Sequence, residues 1–151
     1  MRLDLALALP RDQRSVPVTR HAVRAILPSL GVTEACTSDV EVALSEACTN
    51  VLDHAPPAAQ YEVRLHLTDQ RCVLQVAEVP PGQASRVRGG LPADGVPAPE
   101  AEHGRGLLLM RALVDRVGFR LLPGAGPVVS LEKRLTYDHP GHPGPQPNQP
   151  A

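Results

Sequence analysis

Aromatic side chains are nearly absent: the 151 residues include one Phe, two Tyr and no Trp. A core built without rings must be aliphatic, and the stacking platforms that hold single-stranded nucleic acid are missing. Lysine occurs once against fourteen arginines, the basic residues are scattered, and the formal net charge is −1. No basic stripe marks the chain for nucleic acid or for an anionic membrane surface, so neither is expected as a partner. No apolar run approaches the roughly 18 residues of a membrane span, and the first residues lack a basic region followed by an apolar stretch. Together these suggest a cytoplasmic protein. Cys36, Cys48 and Cys72 have no CxxC spacing and two of them fall in apolar patterns, so buried free thiols are expected rather than a disulfide or a metal site. A chain of this length suits one domain that buries roughly two-thirds of its unfolded surface.

What is present is led by the segment from Ser38 to Ala55, SDVEVALSEACTNVLDHA. Val40, Ala43, Leu44, Ala47, Cys48, Val51 and Leu52 follow the i, i+3, i+4, i+7 rule of an amphipathic helix. Ser38 and Glu41 have the spacing of a capping box, and Pro56-Pro57 stops the helix. Along one flank stand Glu46, Asn50 and His54, four apart and so about one turn above one another. Polar groups at the border of a buried stripe are placed for a pocket floor. Of the three, His54 lies nearest the apolar edge and suits packing or a helix-end hydrogen bond.

The alternation of Leu3, Leu5, Leu7 and Leu9 with Arg2, Asp4, Ala6 and Ala8 predicts a strand ended by Pro10. A helix capped by Ser15 follows from the stripe Val23, Ile26, Leu27 and Leu30, with its stop at Gly31 or one turn earlier at Pro28. Tyr61 to Leu67 and Cys72 to Ala77 form an expected antiparallel hairpin. From Val79 to His103, five prolines and four glycines break every periodicity. A loop of that length is a lid, a binding loop or a disordered segment. The run HGRG from His103 to Gly106 then opens a helix marked by Leu107, Met110, Leu113, Val114 and Val117 and stopped at Gly118. Phe119 to Leu122 and Val128 to Leu135 make a second hairpin, and the Pro-rich tail from Thr136 is expected to be disordered.

Two of these features carry chemistry. An Asn carbonyl is a neutral ligand for a hard cation, and a carboxylate beside it can orient or deprotonate a nucleophile. A Gly-rich helix start presents free N–H groups and the positive end of the helix dipole to phosphate, with Arg105 adding charge here. Either feature alone is also an ordinary boundary residue or loop end; the combination carries the argument.

The order strand, helix, helix with E-x-x-x-N, hairpin, long loop, G-x-G helix, hairpin resembles the Bergerat-fold ATP-binding domains of gyrase, chaperone, histidine-kinase and mismatch-repair proteins. The resemblance covers roughly residues 1–135. By size it is similar to the stand-alone anti-sigma-factor serine kinases and their actinobacterial relatives. It implies an α+β fold: a two-layer α/β sandwich whose mixed, mostly antiparallel sheet is covered on one face by about three helices. It implies ATP and Mg as cofactors, with Asn50 as the magnesium ligand, Glu46 as general base, and the amides of Gly104, Arg105, Gly106 and Leu107 around the phosphates. The family's middle motif, D-x-G-x-G, stands here as Glu78-Val79-Pro80-Pro81-Gly82. Glu78 takes the place of the Asp that accepts from the adenine amino group, Gly82 that of the second Gly, and Pro80 replaces the first.

On this resemblance residues 1–135 form the ATP-binding domain, 79–103 its lid loop and 136–151 a disordered tail. The partners implied are a sigma factor or an anti-sigma-factor antagonist protein, with a homodimer as the expected assembly. Two functions follow. One is a serine kinase that phosphorylates or sequesters its partner in transcriptional control. The other, motivated by Glu78 and Pro80, is a relative impaired in nucleotide binding that acts only as a protein-binding module.

Overall fold

The computed structural model describes residues 1–54, 60–79, 96–97, 104–122 and 126–138. Alternating leucines build the edge strand β1 (Arg2–Pro10), and the chain then forms α1 (Val16–Ser29) and α2 (Glu34–His54). The hairpin β2 (Gln60–Thr68) and β3 (Arg71–Val79) follows, then a two-residue strand β4 (Val96–Pro97), α3 (Gly104–Leu113), and the hairpin β5 (Arg116–Leu122) and β6 (Gly126–Arg134). The six strands lie in the order β1-β2-β3-β6-β5-β4, and the pairings described are antiparallel throughout.

The period-2 pattern of each strand sends one set of side chains to the helices. Leu7, Val63, Val76, Val129 and Phe119 align across the sheet in one row, and Leu5, Leu65, Leu74, Leu131 and Val117 in the next. These rows meet Val40, Ala43, Leu44, Ala47, Cys48 and Val51 of α2, which are all buried, so the apolar stripe read from the sequence is the buried face of the helix. Helix α2 packs against α1, α3, β3 and β6 and so forms the centre of the helical layer. Cys36, Cys48 and Cys72 are free and buried as expected, and burial pushes the Cys48 and Cys72 thiols up to about 12.

Element ends differ from the sequence reading in ways that have local causes. Helix α2 begins a turn earlier than Ser38 because Thr33 caps it: the Thr33 hydroxyl accepts from the Cys36 N–H at 3.2 Å. Ser38 therefore lies inside the helix. Ser15 precedes α1 but makes no side-chain cap; its hydroxyl bonds instead to the Asp12 carbonyl and the Tyr61 hydroxyl. At the far end Gly31, at φ +82°, closes α1 with the paired bonds Gly31 N–H to Pro28 O and Val32 N–H to Leu27 O. Pro28 stays within the last turn.

Helix α3 stops at Leu113, and Gly118 is in mid-strand opposite Ser130 rather than at a helix end. The turn is made by Asp115, whose N–H donates to Glu132 O and whose carboxylate accepts the Arg134 N–H at 2.6 Å. The stretch read as a structureless loop gives up Val79 to β3 and Val96–Pro97 to a strand on β5. Nor is the tail unstructured from Thr136: Thr136 O accepts from Thr33 N–H, Asp138 N–H donates to Gly31 O, and the Tyr137 hydroxyl donates to Asp69 O.

Candidate functional site

Helix α2 carries Glu46 and Asn50 one turn apart on the flank of its buried stripe, and both are half-buried. Among the described residues neither side chain takes a hydrogen bond or an ion pair within the protein. Their polar ends are thus half-desolvated and uncommitted, the state expected of groups that wait for a ligand. The start of α3 is brought against them. A Cβ built on Gly106 falls 2.9 Å from Glu46 Oε2, so this position accepts glycine because the carboxylate stands where a side chain begins. The N–H groups of Gly104, Arg105, Gly106 and Leu107 are the first four of α3 and have no partner within that helix. Leu107 is buried and anchors the turn, while Arg105 is exposed. The two motifs, 58 positions apart between Glu46 and Gly104, thus share one place in the fold.

Residues 9–133 match the histidine kinase-like ATPase domain. The chain belongs to that family. A serine-protein kinase RsbW from Halalkalibacterium halodurans is 31% identical over 141 residues, which cover 89% of this chain and 85% of the relative. The serine-protein kinase RsbW of Bacillus licheniformis is 30% identical over 138 residues, covering 85% and 84%. Among solved structures, the RsbU and RsbW domains of Rv1364c from Mycobacterium tuberculosis superpose with a TM-score of 0.63 at 20% identity, over 88% of this chain. That match spans 32% of the solved chain, and at this identity it speaks to the fold. The α+β sandwich of a histidine kinase-like ATPase is therefore the architecture of this protein, and ATP binding is the property that the family implies.

In this ATPase domain the third sequence feature, Glu78, ends β3 on the helix-covered face, in one row with Leu9 and Tyr61. Partial burial raises its pKa, and the nearby Arg11 charge opposes that rise. Arg11 follows β1 and folds back over the same face: its Nε and Nη2 both donate to Leu52 O near the end of α2, at 3.3 and 2.9 Å. A cleft of about 310 Å³ opens beside it, lined by Arg11, Gln13, Leu52 and Asp53. Arg11 carries no motif, and its acceptor is a main-chain carbonyl 41 residues away, so nothing in the sequence singles it out.

Gly82 and Pro80 lie outside the described residues, as do the side chain of His54 and most of the 79–103 segment. Among the described residues no cluster of His, Cys, Asp and Glu has the makings of a metal site. The side-chain carbonyl of Asn50 fits a magnesium ion held jointly with phosphates, where the ligand itself supplies most of the oxygens. A wider cleft, about 780 Å³, lies on the sheet face that the helices leave bare, among Arg2, Asp4, Arg64, His66 and Gln75. It holds none of the residues singled out from the sequence. No helix among the described residues is long and apolar enough to cross a membrane.

Proposed function

We propose that this protein is an ATP-dependent serine kinase of the anti-sigma-factor type, cytoplasmic, that phosphorylates an antagonist protein or sequesters a sigma factor. The observation that carries the reading is the approach of the Glu46 carboxylate to Gly106 at the first turn of α3, which supports reading Glu46 as the base beside a phosphate cradle, with Asn50 one helical turn on as the proposed metal ligand. Similarity to kinases named RsbW along most of the chain supports the same reading.

Mg-ATP, when bound, supplies the phosphoryl group. Asn50 would hold the metal through its side-chain carbonyl, and the amides of Gly104 to Leu107 would receive phosphate oxygens at the positive end of α3. Glu46 would take the proton of the attacking serine hydroxyl. Glu78 would accept from the adenine amino group. Gly82 is proposed for the lid-side turn of the base pocket, with residues 79–103 as the lid.

Calorimetric titration of Mg-ATP into the wild type and Asn50→Ala tests the site. The wild type should bind, and Asn50→Ala should lose at least tenfold in affinity. Glu46→Ala should keep binding within a few-fold and yield no phosphoserine on the antagonist. An absence of heat from the wild type at millimolar nucleotide removes the kinase reading and favours a protein-binding module.

A further inference from the structure

Outside the motif residues, the arginines at the β5 edge, Arg111, Arg116 and Arg120, line a cleft of about 590 Å³, but Asp115 and Glu132 share it and dilute the charge. The cleft on the bare sheet face sets Arg2 and Arg64 beside Asp4 and His66 and so favours no ligand class. Lys133 is different, because its one ammonium group joins the end of α3 to α2.

We infer that Lys133 is a positioning residue for phosphate binding: by joining the last turn of α3 to Asp39 of α2, it fixes the register in which the α3 amides face Asn50 and Glu46. The inference rests on the nucleotide-site reading above. Lys133 is the single lysine of the chain. Its strand, β6, lies inside the sheet between β3 and β5. The side chain is on the helix-covered face, two positions past Leu131 and in one row with Leu67 and Cys72. From there Nζ donates to Leu113 O at 2.7 Å and to Asp39 Oδ2 at 2.9 Å. Leu113 is the last residue of α3, so its carbonyl is one of the four that the helix leaves without a partner, at the negative end of the dipole. A compact ammonium with three donors suits two acceptors on different helices better than a planar guanidinium does.

Two ties then hold α3 to α2, and they are equally spaced. Asp39 and Glu46 stand seven residues apart on α2, and Gly106 and Leu113 stand seven apart on α3. Seven residues rise about 10.5 Å, close to two turns, so both ties leave each helix on one side. Asp39 meets Leu113 through Lys133, and Glu46 meets Gly106, so the two helices run in opposite directions. One tie alone would let α3 pivot on α2, whereas two fix its placement. The tie at Gly106 is a close approach, and the hydrogen-bonded tie is the one at Lys133. With Lys133 removed, the start of α3 would shift against α2, and the amides of Gly104 to Leu107 would no longer face the phosphates that a metal on Asn50 holds.

The test compares ATP with Mg against ATP in EDTA, by calorimetry on the full chain. In the wild type, Mg should tighten ATP binding about tenfold or more, because the metal and the α3 amides hold the same phosphates. Lys133→Met should weaken Mg-ATP about tenfold, the share of one hydrogen bond to phosphate, and leave ATP in EDTA within about twofold, because phosphates without the metal can follow a displaced α3. Lys133→Arg, which keeps the charge and the donors, should recover part of the Mg advantage. Asp39→Asn should lose part of it and covers the case in which the Met variant folds poorly, since the Asp39 side chain is 36% exposed. Added to Lys133→Met, Asp39→Asn should change the ratio no further. Equal weakening with and without Mg, or an unaltered Mg advantage, overturns the role given to Lys133. A wild type that binds Mg-ATP no more tightly than ATP overturns that role too. A wild type that binds neither overturns the nucleotide site itself, and is told apart because no variant is needed to see it.

Discussion

Gly106 shows how one missing methyl group ties two motifs together. Glycine in a helix costs up to about 1 kcal/mol against alanine, so Gly106→Ala should on propensity alone make α3 more stable. The added Cβ, however, lies 2.9 Å from Glu46 Oε2, and the half-exposed carboxylate must turn away to admit it. The expected result is a melting temperature equal to or above that of the wild type, together with phosphotransfer to the antagonist reduced tenfold or more. With Glu46 already replaced by Ala, the same substitution should give the full stability gain, since nothing remains to displace. Glu78 yields a pH dependence. Its pKa is raised in the folded protein, so ionising it opposes folding. The penalty is absent at acid pH, where both folded and unfolded chains hold the proton; it grows as pH rises from the unfolded value to the folded one and is complete above that. Glu78→Gln should therefore raise the melting temperature of the nucleotide-free protein at pH 8 by calorimetry, with the gain fading toward acid pH. A gain that is the same at every pH would assign the effect to packing. At this scale the sequence was legible where side chains recognise by spacing: Glu46 and Asn50 stand four apart on a helix with an unmistakable apolar stripe. It was silent on Arg11, whose partner is a carbonyl that every residue possesses.

At the scale of elements, the two glycines expected to stop helices have opposite roles. Gly31 is at φ +82°, and a Cβ there would meet nothing nearer than Tyr137 Cδ1 at 3.9 Å. The cost of Gly31→Ala is thus conformational, and urea unfolding should show a loss of about 1–2 kcal/mol. Gly118 is in mid-strand on β5, where a Cβ would make ordinary contact with Ser130. Gly118→Ala should gain about 0.5–1 kcal/mol. The two were indistinguishable in sequence because each follows an apolar periodic run. What separates them is hydrogen bonding that no local pattern encodes: Asp115 turns the chain by binding Arg134 and Glu132, 17 and more positions later. Helix α2 was misread at its start for a related reason, since both Thr33 and Ser38 can cap, and the choice is made by packing: Cys36 and Thr37, ahead of Ser38, are buried. The strand and helix interiors were read well because burial on one face imposes a period that the sequence must obey.

For the whole molecule, the open question at sequence level was where the folded unit ends. Strand alternation stops at Leu135, so the boundary was placed there, yet the next three residues stitch the fold together from the side. Val32 bridges Tyr137, Thr33 N–H donates to Thr136 O, Asp138 N–H donates to Gly31 O, and the Tyr137 hydroxyl donates to Asp69 O at 2.7 Å. These bonds join the α1–α2 connection to the β2–β3 turn, two places that no helix or strand links directly. Such closure is invisible to a periodicity argument, because Thr-Tyr-Asp has no period to show. We propose that Thr136, Tyr137 and Asp138 belong to the folding unit. A chain cut after Asp138 keeps all of these bonds and is the reference for calorimetry. A chain cut after Leu135 loses the two backbone bonds, the Thr33–Thr136 hydroxyl bond and the tyrosine bond, each worth about 0.5–1.5 kcal/mol net, and should be less stable by about 2–6 kcal/mol. Tyr137→Phe in the full chain should recover all but the share of one hydrogen bond, because the ring and the backbone bridge remain. A cut after Leu135 that leaves the midpoint at that of the chain cut after Asp138 would return the boundary to Leu135.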